Sequence, residues 1–230
     1  MNYYLIKNKI KYLVFPNNYC KTNFQKYFNG IKKSFSIYMH GDKNFTKNKV
    51  NNKLRIGYAG FGRDLPNFLR NNNDINIFTK YSRGDKKDWL YQDSSQFVND
   101  FESLNSFFSN INCHISIAKD TKDKKFWSGA DKRPNIWYVP NAKISCASRT
   151  NSVIICTRHP GCYEVLGDDY PYYTLPDEKS VLKTIDYVKK TYNKNEWFKA
   201  LKIINETNHK TDINYNVYKY IKIFEYHNKK

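Results

Sequence analysis

Three short clusters in this chain carry residue types suited to a phosphorylated, hydroxyl-rich ligand. Gly60-Phe61-Gly62-Arg63 sets two residues without a Cβ beside a cation. The backbone can approach a ligand closely there while a guanidinium meets its charge. Lys143 opens a predicted helix near a loop edge and can neutralise a diphosphate. Pro160-Gly161-Cys162-Tyr163-Glu164 turns on proline and glycine, with Glu164 expected in the first turn of the helix that follows. A carboxylate placed there can accept hydrogen bonds from ribose or hexose hydroxyls.

Each cluster also has a plainer use. Gly60 and Gly62 suit a tight strand-to-helix turn, Lys143 a solvated surface, and Glu164 the stabilisation of a helix N-terminus, worth about 0.3–1 kcal/mol. The glycine pair lacks the third glycine of a dinucleotide fingerprint, and no Gly-Lys-Ser/Thr follows to make a Walker loop. What raises Lys143 above other lysines is its fixed separation from the Val153 strand and the Pro160-Gly161 turn. Cys156, His159 and Cys162, with Cys146 upstream, have the look of a zinc set, but a second Cys-x-x-Cys or His pair is missing. Free cysteines acting as small core residues account for them better. No Ser/His/acid order or nucleophile elbow stands out, and no residue is assigned as catalytic.

Positioning these residues requires a layered scaffold. Apolar runs at Leu54–Ala59, Ile75–Phe78, Cys113–Ala118 and Val153–Cys156 predict strands, the last one buried on both faces. Tyr12–Phe15, Ile37–Met39 and Tyr172–Thr174 predict shorter ones. Helices are expected around Phe24–Ile31, over Pro66–Arg70 and over Lys143–Arg149. Another is expected over Ser94–Asn110, where Phe97, Phe101, Leu104 and Phe108 repeat at about 3.6 residues and Ser94 or Ser95 is the N-cap. Three stripes follow: Val181/Leu182/Ile185/Val188, Trp197/Phe198/Leu201/Ile204 and Val217/Tyr220/Ile221/Phe224. Strands alternating with helices predict an α/β fold, an open Rossmann-like parallel sheet with helices on both faces. The crossover rule then gathers the loops Gly60–Asp64, Thr79–Lys87, Lys119–Pro134 and Thr157–Gly161 at one edge. Lys43–Lys53 is polar and aperiodic, so a boundary is placed there: 1–50 is one portion and 51–230 the nucleotide-binding one.

The 230 residues are 40% hydrophobic and 17% aromatic, which excludes a disordered chain. A net charge of +18 points to a partner bearing phosphates: nucleic acid, an anionic membrane surface or a nucleotide diphosphate. Biased codon usage explains many lysines equally well, and they are scattered rather than gathered into a nucleic-acid tail. Lysines interrupt the first sixteen residues, no signal peptide is evident and no apolar run reaches membrane-spanning length. With five cysteines, an odd number, the expected compartment is reducing and cytoplasmic.

Taken in order, these segments resemble a known family. Arg55–Arg63, His114–Ile117, Pro140–Ala147, Val153–Ile155, Pro160–Glu164 and Tyr172–Ile185 are similar to the carboxyl-terminal, donor-binding half of GT-B glycosyltransferases, of the glycosyl transferases group 1 type. The resemblance implies transfer of a sugar from a nucleotide-sugar donor to an acceptor, with no cofactor and no bound metal. Gly60, Gly62, Arg63, Lys143, Gly161 and Glu164 would line the donor site, with Arg63 and Lys143 on the diphosphate and Glu164 on hydroxyls. The helix at Lys143 lacks the family's first glutamate, and Thr150-Asn151-Ser152 replaces its Gly-x-Pro. Residues 1–50 would supply only a remnant of the acceptor-side domain and the linker. A partner chain could then provide that domain, and peripheral membrane contact stays open. The alternatives are a non-catalytic nucleotide or nucleotide-sugar binding protein of this fold and a basic nucleic-acid-binding protein. Nucleic acid is the less expected partner.

Overall fold

The apolar β-branched runs form a five-stranded, all-parallel sheet in the computed structural model, which describes residues 12–27, 33–38, 44–48, 53–61, 65–80, 101–117 and 142–228. Its strands are β3 (Ile56–Phe61), β4 (Ile75–Lys80), β5 (Cys113–Ser116), β6 (Val153–Thr157) and β7 (Tyr173–Thr174), in the order β4-β3-β5-β6-β7. Two more strands, β1 (Leu13–Phe15) and β2 (Ser34–Ser36), form a separate parallel pair. The described helices are α1 (Asn18–Tyr27), α2 (Asn67–Arg70), α3 (Phe101–Ser109), α4 (Ala142–Arg149), α5 (Pro160–Leu166), α6 (Glu178–Thr191), α7 (Asn195–Glu206), α8 (Asn208–Thr211) and α9 (Ile213–Asn228).

Strand β6 forms the centre of the core. Val153, Ile154, Ile155 and Cys156 are fully buried, because helices cover both faces of a parallel sheet and leave no polar side. The edge of β6 that β7 is too short to cover is completed by a side chain. Tyr170 Oη accepts from Ile154 N at 2.9 Å and donates to Ile154 O at 2.8 Å. One phenol thus stands in for a strand and pairs both backbone groups of Ile154. Helix α6 opens on Asp177, which accepts from Ser180 N at 2.8 Å, and it buries Val181, Ile185 and Val188. Helix α7 buries Trp197, Ala200 and Ile204 on the same core.

Several elements differ from expectation for physical reasons. Gly60 was expected in a loop but lies within β3, because the β3–β4 ladder runs to Phe61↔Lys80 and carries the glycine along. Strand β2 ends at Ser36, before Ile37–Met39, where it was expected; its register against β1 selects Ser34–Ser36, and Ile37 N then donates to Phe15 O at 2.9 Å. The aperiodic stretch after Lys43 is anchored at Asn48, whose backbone N–H and side-chain amide both donate to Thr150 O, at 2.8 and 3.0 Å. On α9 the expected apolar stripe faces outward: Val217, Tyr220, Ile221 and Phe224 are exposed, while Asn216 and Ile223 are buried. The expected caps Ser94 and Ser95, like Gly62 and Arg63, lie outside the described residues.

Candidate functional site

The strand order β4-β3-β5-β6-β7 contains a reversal. From β3 the chain moves outward to β4, then crosses to the other side of β3 to lay down β5. Ligands of open α/β sheets bind at such switch points, beyond the carboxyl ends of the diverging strands. The register shows the divergence. β3 and β5 pair only at Ile56↔Cys113 and Gly57↔His114, whereas β3–β4 pairing runs on to Phe61 and β5–β6 pairing to Ser116. A crevice therefore opens between Tyr58–Gly60 and Ile115–Ser116.

Lys143 occupies that crevice. Helix α4 begins at Ala142, so Lys143 is its second residue. The ammonium Nζ stands 4.1 Å over the Tyr58 ring centroid and donates to the Ile115 carbonyl at 3.4 Å. A Cβ added to Gly60 would lie 3.4 Å from that Nζ and 2.9 Å from Tyr58 Oη. Gly60 is thus needed where the lysine and the phenol crowd the end of β3. Beneath them His114 is buried against Thr150 Oγ1 at 3.1 Å. Burial first, and the neighbouring Lys143 charge second, push its imidazole down to about 3, so it is neutral at ordinary pH. Gly60, Lys143 and Glu164 were expected in one cleft; the first two meet here, and Tyr58 joins them, a residue whose inward alternation with Ile56 is visible in the strand pattern.

Gly161 and Glu164 are placed differently. Pro160 is the first residue of α5, so Gly161 is the second and is buried, and Glu164 is the fifth. The glutamate therefore sits in the second turn of α5, a correction to the expected first turn, and it does not cap its own helix. Its carboxylate caps α1 instead. Oε2 accepts from Asn18 N at 2.7 Å, Oε1 from Tyr19 N at 2.8 Å, and Tyr38 Oη donates to Oε2 at 3.2 Å. Those N–H groups are among the orphan donors of a helix start, where a carboxylate is favoured. Burial, then the Glu164 charge, raises the Tyr38 phenol to about 12, which keeps it a donor. The structure thus brings Gly60 and Lys143 together and commits Glu164 to a junction between α5 and the β1–β2 portion.

Between these two places lies a buried thiol cluster. Cys162 Sγ meets His159 Nε2 at 3.2 Å. Burial pushes the Cys156 thiol well above its ordinary range. At Cys162 burial acts the same way, but hydrogen bonds from Cys156 and His159 hold it down, at about 6. All five cysteines are free, and among the described residues no group of three or more His, Cys, Asp or Glu is arranged to hold a metal ion. Among the same residues no helix is long and apolar enough to cross a membrane.

Neither a protein-family model nor a curated protein matches the chain by sequence. Its fold does have relatives among solved structures. One is the crystal structure of a glycosyltransferase from Rickettsia africae ESF-5, superposed with a TM-score of 0.61 at 12% sequence identity. The likeness covers 98% of this chain and 67% of that one. The chain has a glycosyltransferase-like fold. At that identity the likeness concerns the path of the backbone: a Rossmann-type parallel sheet flanked by helices.

Proposed function

We propose that this chain is a GT-B-type glycosyltransferase that takes a sugar from a nucleotide-sugar donor and passes it to an acceptor. The observation that carries this reading is the meeting of Gly60 and Lys143 at the switch point of a glycosyltransferase-like sheet. There an ammonium already inside a crevice can stabilise the negative charge that builds on a departing diphosphate, without a bound metal. Gly60 leaves room for the Lys143 ammonium and the Tyr58 hydroxyl at the end of β3, and Arg63, three residues on in sequence, would add a second cation with Gly62 beside it. Gly161 keeps the start of α5 free of a side chain. In this reading residues 51–230 are the donor-binding part and 1–50 the acceptor-side remnant and linker. In this reading a partner chain completes the acceptor side, in a cytoplasmic setting with peripheral membrane contact.

A second reading is supported by Glu164. Its carboxylate is already held by Asn18, Tyr19 and Tyr38, which favours a protein that keeps the nucleotide pocket as a binding site without transferring sugar. The nucleic-acid reading stands third: Phe78 and Phe107, and Tyr172 and Trp197, pack on one another, and the exposed rings with neighbouring lysines are those of Tyr215 and Tyr218 on α9. The deciding experiment is a thermal-shift screen against UDP, GDP and their sugars, followed by a donor-hydrolysis assay on any ligand found. Ligand at about 100 times its dissociation constant stabilises by about 2.7 kcal/mol. A shift with hydrolysis supports the enzyme, and a shift without hydrolysis the binding protein. The absence of any shift removes the nucleotide site altogether.

A further inference from the structure

A second concavity is built from α1, β2 and α9. Its volume is about 650 Å³, the size of pockets that enclose small organic ligands. Lys21, Lys33, Lys219 and Lys222 line it, and no aspartate or glutamate is among its described lining residues. Lys222 is paired with Glu225 at 2.9 Å, so one charge of the four is compensated nearby. The floor is apolar and aromatic, with Phe35, Ile37, Tyr218 and Ile223 between the ammonium groups. Lys219 Nζ stands 4.4 Å from the Tyr215 ring centroid, and Lys222 Nζ 5.2 Å from that of Tyr218. None of these residues belongs to the candidate donor site.

Like charges gathered around a concave, partly apolar surface repel one another, and an anion that enters relieves that repulsion. Lysine is a compact point charge with three rotatable donors and can meet phosphate oxygens from several directions. The hydroxyls of Ser34 and Ser36 and the amide of Gln25 add neutral hydrogen-bonding groups on the same wall. The apolar floor gives a place to the non-phosphate part of a ligand.

We propose that this cavity is a binding site for an amphiphilic organic phosphate, with the phosphate among the lysines and a hydrocarbon or ring portion on Phe35 and Ile37. The same chemistry is offered by the headgroup of an anionic lipid and by a free phosphorylated metabolite. The exposed face of α9, with Val217, Ile221 and Phe224, lies on the flank of the helix away from Lys219 and Lys222. The site stands independently of the donor reading, since it shares no residue with it.

The test is calorimetric titration of the full chain at low salt with three probes below their micellar range. These are dihexanoyl phosphatidylglycerol, inorganic pyrophosphate and dihexanoyl phosphatidylcholine. The variants are Lys222→Gln, the double Lys33→Gln/Lys219→Gln, and Lys202→Gln as an exposed control on α7. Loss of a charge-assisted contact should weaken phosphatidylglycerol about tenfold in the cavity variants and leave it unchanged in the control. Pyrophosphate bound as tightly as the lipid overturns the amphiphilic assignment, because the floor at Phe35 and Ile37 would then contribute nothing. Phosphatidylcholine binding as well as phosphatidylglycerol overturns the proposal, because the lysines would then read no net charge. So does the absence of binding by the wild type, or binding undiminished in Lys222→Gln, a solvent-exposed change that keeps the fold if the double variant does not.

Discussion

Replacing Lys143 by methionine keeps a flexible stem of similar length and removes only the charge. In the free protein the losses include two direct contacts. The first is the cation–π contact with Tyr58 at 4.1 Å, worth about 0.5–2 kcal/mol. The second is the hydrogen bond to Ile115 O, which at 3.4 Å is near the long limit and belongs at the weak end, about 0.5 kcal/mol. Methionine sulfur can still pack on the Tyr58 ring, which returns part of the first. The net loss of stability is therefore about 1 kcal/mol, a fall in Tm of roughly 2–4 °C for a chain of this size. For a bound diphosphate the loss is larger. A charge-assisted hydrogen bond is worth about 1.5–3 kcal/mol, and each 1.4 kcal/mol is about tenfold, so UDP or GDP should bind about 10- to 150-fold more weakly. If the ammonium must leave Tyr58 to reach the phosphate, the lower end of that range applies. The assay is calorimetric titration of the nucleotide that stabilises the wild type, run beside a melting curve, with Lys202→Met as a surface control. A variant that binds within about threefold of wild type refutes the assignment of Lys143 to the diphosphate, whatever its melting temperature.

Three further outcomes follow from the same geometry. Glu164→Gln should destabilise by about 1–3 kcal/mol, since it removes the charge that caps α1 and can satisfy only one of two backbone N–H groups. Faster hydrogen exchange at Asn18 and Tyr19 checks it, and unchanged protection there would mean that α1 does not depend on the cap. Gly57→Ala should cost about 1–3 kcal/mol in urea denaturation, because its Cβ would fall 2.8 Å from two carbons of Ile111 and 3.0 Å from Phe107. A neutral substitution would show that α3 can shift. His114, held near 3 against an ordinary 6.5, binds its proton more readily in the unfolded chain. Stability is therefore fully present above pH 6.5 and falls as pH drops from there towards 3, by about 1 kcal/mol per unit. Urea midpoints against pH should show this slope in wild type and a flatter one in His114→Gln.

Much of the sheet was legible because its signals are local. Val153–Cys156 is an uninterrupted apolar run, and Ala142–Arg149 and Glu178–Thr191 alternate apolar and polar residues at helical spacing. What failed to show depends on partners distant in sequence. Gly60 reads as the beginning of a loop, and only its pairing with Thr79 on β4 keeps it in the strand. The periodic stripe on α9 is real, but periodicity tells that a face is apolar and not that a neighbour covers it; the face that packs turns on Asn216, whose amide donates to Tyr38 O at 2.9 Å. The family resemblance puts Lys143 and Gly60 in one site, yet the way they meet depends on β3 and β5 parting after Gly57 and His114, which no local pattern records.

Glu164 bears most directly on how a donor could be recognised. An ionised carboxylate offers about four lone-pair positions. Three are taken by Asn18 N, Tyr19 N and Tyr38 Oη. Two ribose hydroxyls would need two acceptors in good geometry, so at most one can be served without releasing α1. Releasing it exposes the helix start and separates α5 from the β1–β2 portion, an unfavourable exchange for one neutral hydrogen bond of about 0.5–1.5 kcal/mol. The arrangement therefore predicts a site that reads the diphosphate strongly and the ribose weakly. In competition titrations 2′-deoxy-UDP should bind within about threefold of UDP, while UMP, lacking the second phosphate, should lose tenfold or more, about 1.4 kcal/mol. Discrimination of about tenfold or more against the deoxy nucleotide would show that the carboxylate does turn to the ribose, and that the α1 cap gives way when the donor arrives.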